Sequence, residues 1–91
     1  MNILHLTLKK HWFDLIASGQ KTEEYREIKP YWTSRLMTDA THFKHYDAVR
    51  FRNGYQRDAP EILVKCKRIT IGWSPVYEQE TYIILLGRVL V

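Results

Sequence analysis

Two stretches decide the fold: Ile62–Trp73, ILVKCKRITIGW, and Tyr82–Val91, YIILLGRVLV. The first begins by alternating. Ile62, Val64 and Cys66 fall on one face and Lys65 and Lys67 on the other, the period of a half-buried strand. By Ile69 and Ile71 the apolar positions have changed parity. In one continuous strand this implies a bulge or a passage between two packing surfaces. The second stretch is largely apolar on both faces, so it is expected to be covered on both sides. A sheet that buries a strand twice curls around its core or closes on itself.

Working outward, Ala48–Arg52 alternates Val49 and Phe51 against Arg50 and Arg52, and Asn53-Gly54 behind it is a strong turn signal. Asn2–Leu8 sets Leu4, Leu6 and Leu8 on one strand face. Lys10–Ser18 spaces Trp12, Phe13, Leu15 and Ile16 as the stripe of a short helix. Gly19 then falls where a left-handed C-cap is expected. Lys21–Ile28 reads as a strand, Pro30 opens a second helix to about Met37, and Thr38–Tyr46 and Gly72–Gln79 read as loops. Residues 1–91 are therefore expected to form a single α+β domain, a small mixed β-barrel with two short helices against it.

Composition narrows the class. In 91 residues, 14 Lys and Arg face 10 Asp and Glu, a net charge of +4 that permits an anionic partner without naming one. Cys66 is the single cysteine, which excludes an internal disulfide and a cysteine-rich zinc site. The four histidines show no ligand spacing, so neither a metal nor a cofactor is expected. The N-terminal MNILHLTLKK lacks a secretory pattern, and Tyr82–Leu86 is far too short to span a bilayer. An intracellular, cytoplasmic protein is expected.

The densest polar segment is Gly19-Gln20-Lys21-Thr22-Glu23-Glu24-Tyr25-Arg26. On an extended backbone Glu24 and Arg26 share a face, about 7 Å apart. Arg26 can then present its planar fork to the Glu24 carboxylate. Lys21 has the opposite parity if the strand starts early. If it sits in the turn after Gly19, its long stem reaches the same mouth, where a neighbouring Arg would lower its pKa. The plainer alternative is a solvated edge strand of alternating charges.

Gly19-x-Lys21-x-x-Glu24-x-Arg26 behind HWFDLIASG resembles the signature of the ASCH domain family, a branch of the PUA-like superfamily. KPYWTSRL, YDAVRFRNGY and YIILLGRVL sit where that family has its next helix, an inner strand and its closing strand, so the resemblance spans nearly the whole chain. It implies a PUA-like β-barrel with a cleft beside the first helix, lined by Lys21, Glu24 and Arg26, that binds RNA or a nucleotide. Some members are hydrolases, one branch deacetylating an acetylated cytidine nucleoside and another cleaving RNA. The deacetylating branch carries a Thr nucleophile where this chain has Glu24, and Thr22 has the other strand parity. That branch also uses a later acidic residue, for which Glu78 and Glu80 are the nearest candidates. In a hydrolase of RNA or a modified nucleoside, Lys21 would be base or charge stabiliser, Glu24 general acid/base and Arg26 an oxyanion or phosphate clamp.

Between Lys44 and Arg68 stand seven basic residues and three acidic ones. Arg50 and Arg52 share a strand face, as do Lys65 and Lys67. If those strands pair, the two faces join either into a stripe that follows phosphates or into an ordinary solvated surface. Tyr55 and Trp73 are candidates to stack on bases, against a core or rim role. Trp32 and Leu36 form an apolar i, i+4 pair expected in the core, while Tyr31 and Arg35 form another that could border the cleft. Cys66, on the inward face, reads as a buried, inert thiol.

Overall fold

The computed structural model describes Met1–Val91 in full. In chain order the elements are β1 (Ile3–Leu8), α1 (Lys10–Ala17), β2 (Glu23–Arg26), α2 (Pro30–Leu36), β3 (Met37–Asp39), β4 (His42–Phe43), β5 (Ala48–Asn53), β6 (Glu61–Ser74) and β7 (Gln79–Val89). Five strands form one mixed sheet in the order β1-β5-β6-β7-β2. β1 runs parallel to β5, and the other pairs are antiparallel. The α+β class, the mixed sheet and the two helices are as the sequence leads one to expect. The ladder is open, however, because β1 and β2 are its two ends and do not pair with each other.

One face of the sheet carries the core. Leu4, Leu6 and Leu8, then Val49 and Phe51, Val64, Cys66 and Ile69, and Tyr82, Ile84 and Leu86 are all buried there. Phe13 and Ile16 of α1 and Leu36 of α2 close over them. Full burial of one such side chain contributes about 1.5–3 kcal/mol. Burial of the Cys66 thiol pushes its pKa up, consistent with an unreactive packing role.

The parity change in β6 is a pair of compensating irregularities against β7. Val64 faces Val89, Cys66 faces Leu86 and Arg68 faces Leu85, so each strand in turn accommodates one extra residue. Lys67 and Arg68 are consequently exposed in succession, and the inward side restarts at Ile69. Gly87 sits at this irregularity, where a Cβ would lie 3.1 Å from that of Lys65. Ile71 keeps the parity of Ile69 but is exposed, since the core beneath it has ended. In β7, Tyr82, Ile84 and Leu86 are buried, while Ile83 and Leu85 on the other face are half-buried.

Two local expectations are corrected. Thr38–Tyr46 is not simply a loop, because β3 and β4 pair there as a hairpin. Its turn is made by Asp39, whose Oδ1 accepts from the Thr41 N–H at 2.9 Å. Such an Asx turn carries no hydrophobic period that a pattern search would detect. β2 is also shorter than Lys21–Ile28. Gly19 takes φ +82° after α1, and the Lys21 N–H returns to the Leu15 carbonyl at 3.0 Å, which ties Lys21 to the helix end rather than to the ladder. No helix is long and apolar enough to cross a membrane.

Candidate functional site

β2 forms an outer edge of the sheet through its pairing with β7, where Glu24 faces Ile84 and Arg26 faces Tyr82. Ile84 and Tyr82 are buried in the core, so Glu24 and Arg26 project from the core face. Polar side chains are tolerated there because a cavity of about 300 Å³ opens at this margin, at the small end of the range for ligand pockets. Its walls come from four places. The end of β1 and the start of α1 supply Thr7, Leu8, Lys9 and Trp12; Lys21 follows the helix; Glu24, Tyr25 and Arg26 come from β2; and Val76 and Tyr77 come from the loop between β6 and β7.

Glu24 organises the cluster. Its Oε2 accepts from Arg26 Nη2 at 2.6 Å, and its Oε1 lies 3.4 Å from Lys21 Nζ. All three side chains are largely buried. A carboxylate so placed without cations would be costly, and bridging two of them offsets much of that cost. Lys21 is held further by donating to the Glu23 carbonyl. Its ammonium stands over the Tyr25 ring at 4.8 Å and the Trp12 ring at 5.7 Å, both within cation–π range. The Arg26 guanidinium stacks 4.7 Å from the Trp32 ring, and its buried Nε has no hydrogen-bond partner.

Two cations and one carboxylate leave the wall with an excess positive charge, and Lys9 adds another at the exposed rim. A low-dielectric concavity of this sign concentrates anions. Trp12, Tyr25 and Tyr77 offer flat apolar surface beside it. Tyr25 donates its hydroxyl proton to Glu23 Oε1 at 2.6 Å. Burial first, then that bond and the nearby Glu23 and Glu24 charges, push its pKa up to about 12. It therefore serves as a neutral donor at ordinary pH. Glu24 has both oxygens engaged by cations, which suits an anchor better than a proton carrier.

Of the residues singled out in the sequence, Lys21, Glu24 and Arg26 converge, and the placing of Lys21 in the turn after Gly19 is the one that brings its stem to the same mouth. Arg50, Arg52 and Tyr55 do not join them. Arg50 and Arg52 face Leu63 and Glu61 on the side of the sheet away from the core. Glu61 sits 3.7 Å from Arg50 and 3.5 Å from Arg52. Lys65 shares that face opposite Ala48, so β5 and β6 do pair, but Glu61 interrupts the basic stripe and Lys67 falls at the irregularity. Tyr55 is 88% exposed in the loop after β5 and lines no part of the cavity. Glu78, in the turn before β7 with φ +54°, and Glu80 lie outside it as well.

Tyr31 and Arg35 stack at 3.8 Å as their spacing suggests, yet away from the cavity wall. Trp32 is only partly buried and serves as the platform under Arg26 rather than as a central core residue. Sequence reasoning missed Lys9, Trp12, Val76 and Tyr77 as lining residues. Trp12 is hidden in an ordinary helical stripe. Val76-Tyr77 left one signal, an apolar pair in the short turn between two strands. Comparison of the chain with family models, with curated proteins and with solved structures finds no match.

Proposed function

We propose that this chain is an RNA- or nucleotide-binding module of the ASCH type that takes its ligand in the cleft of Lys21, Glu24 and Arg26. The supporting observation is the convergence of these three side chains on an aromatic-walled cavity of about 300 Å³. In this reading a phosphate or carbonyl oxygen meets Arg26 and Lys21. A base stacks against Trp12 or Tyr77, and Glu24 holds both cations while accepting from a base amino group. Stacking of this kind is worth about 1–3 kcal/mol per base. The reading carries with it a PUA-like curvature of the sheet and a cytoplasmic location, where such ligands abound.

Hydrolysis in the same cleft is the competing assignment. Binding is favoured because Glu24 stands at the position where a hydroxyl nucleophile would be needed and because its carboxylate bridges two cations. Filter-binding titrations with single-stranded RNA and with mononucleotides, at several salt concentrations, test the proposal. Saturable binding with a salt slope is expected, since each phosphate contact releases counterions. Absence of binding at low salt overturns it. Incubation with acetylated cytidine and with RNA, followed by product analysis, separates binding from hydrolysis.

A further inference from the structure

β6 outruns the strand beside it. Its ladder with β5 ends at the Ala48–Lys65 pair, and one further bond joins the Cys66 N–H to the Asp47 carbonyl. Its ladder with β7 continues to Ser74. From Lys67 to Trp73, the edge of β6 away from β7 therefore has no strand beside it. Alternate backbone N–H and C=O groups on such an edge lack partners and form a template for another strand.

The side chains along this edge add two observations. Ile71 and Trp73 are 41% and 63% exposed. They face Tyr82 and Glu80 in the ladder, so they extend the core face beyond the part that the helices cover. The charges are also divided. Lys67 and Arg68 stand at the beginning of the free edge, and Glu78 and Glu80 stand around the hairpin end beyond its far side. All four are exposed, and none belongs to an ion pair within the chain.

We propose that a second copy of this chain adds its Lys67–Trp73 edge antiparallel to this one, giving a two-fold dimer with one continuous sheet. With the axis at Ile71, that residue meets its own counterpart, and Ile69 and Trp73 meet each other twice. Aromatic and β-branched residues make favourable cross-strand pairs. The same register sets the Lys67–Arg68 end of each copy against the acidic hairpin end of the other. A parallel pairing would instead bring like charges together. The free edge and the turn beyond it carry the two halves of the complementarity on one chain, as a self-pairing surface requires, and this selects a second copy over an unrelated strand. The cleft of about 200 Å³ between Phe43–Tyr46 and Cys66–Ile69 lies where the second copy's hairpin end would rest.

Sedimentation equilibrium of the full chain from about 1 μM to about 1 mM tests this, a range that spans modest dimer affinities. A concentration-dependent monomer–dimer equilibrium is expected. Ile71→Lys places two like charges at the axis and should raise the dissociation constant by about ten-fold or more. Arg68→Glu should weaken the dimer, and adding Glu78→Lys, beside the Ser74 that Arg68 would face, should restore part of the loss. A chain that stays monomeric throughout overturns the proposal. So does an Ile71→Lys variant with an unchanged circular dichroism spectrum and undiminished association. If Ile71→Lys fails to fold, Trp73→Lys at the more exposed position gives the same reading.

Discussion

Basic residues lie on both faces of this sheet, under opposite physical conditions. On the core face Lys21 and Arg26 are largely buried, share one carboxylate and stand over aromatic rings. On the other face Arg50 and Arg52 are about a third exposed and sit beside Glu61 at 3.5–3.7 Å. Formal charge does not distinguish the two groups, but burial does. In the first, each charge depends on its partners and the geometry is fixed. In the second, water and salt screen most of what the charges do. A site that selects a ligand needs the first condition, whereas the second supplies at most general attraction.

The largest effect should come from removing the carboxylate that joins the two cations. Glu24→Ala leaves Lys21 and Arg26 as like charges in a partly desolvated pocket, which for a buried pair costs about 3–5 kcal/mol. In a domain of this length each kcal/mol lowers the melting temperature by roughly 4–8 °C. Thermal melts should therefore show a drop of well over 10 °C, on the order of that product. Glu24→Gln keeps the shape and one acceptor, so its loss should be smaller. If Glu24→Ala melts like the parent, the cluster is as solvated as the outer face and the contrast fails.

Ligand binding should divide along the same line. Arg26→Ala and Lys21→Ala are expected to weaken mononucleotide binding by about ten-fold or more, the loss of one charge-assisted contact. Arg50→Ala and Arg52→Ala should change it by less than about two-fold. Against longer RNA they should reduce the salt slope by about one unit each only if that face also touches phosphate. Equal losses from both faces, measured by fluorescence or filter titration, would mean that the cavity is not the selective site.

How much of this was legible in the sequence follows from the range of the signals. Period-two and period-3.6 patterns extend over six or more residues, so β1, α1, β5, β6 and β7 could be read directly. The parity change at Cys66–Ile69 even located the irregularity, because alternation carries its own phase. β3 and β4 span three and two residues, too short for any period, and are held by a turn whose chemistry is a single Asp39 contact. In the site, the Lys21-Glu24-Arg26 spacing was readable because all three lie within one turn and strand. The contribution of Lys9, Trp12, Val76 and Tyr77 was not, since it comes from assembling distant segments around one opening. Arg50 and Arg52 show the same limit. Their shared face was read correctly, but its position on the side away from the cavity is set by the whole sheet.

A pH-dependent measurement sharpens the contrast through Tyr25, which borders the buried cluster. Its folded pKa is raised to about 12, while an unfolded tyrosine ionises near 10. The folded state thus holds its proton more tightly. The stability this contributes is fully present below about pH 10 and is lost as pH rises from there towards 12. Melting temperature should fall across that window, and Tyr25→Phe should make the fall shallower. Absorbance titration near 295 nm should find a phenol ionising above the ordinary tyrosine range that disappears in Tyr25→Phe. A Tyr25→Phe profile parallel to the parent's would show that the phenol is not shielded as its burial and its bond to Glu23 imply.

The smallest effect is expected on the outer face, where its smallness is informative. Glu61 faces Arg52 in the ladder and sits beside both arginines, so like Glu24 it is a carboxylate between two cations. Yet it and both arginines are about a third exposed, and pairs of this kind contribute about 0–1 kcal/mol. Glu61→Ala should therefore shift the melting temperature by no more than a few degrees, and less at high salt. It also unmasks Arg50, Arg52 and Lys65 as an uninterrupted basic face, so non-specific RNA retention at low salt should rise while mononucleotide affinity stays constant. A large destabilisation would place Glu61 in the same class as Glu24. A gain in mononucleotide affinity would mean that the two faces are electrostatically coupled through the sheet.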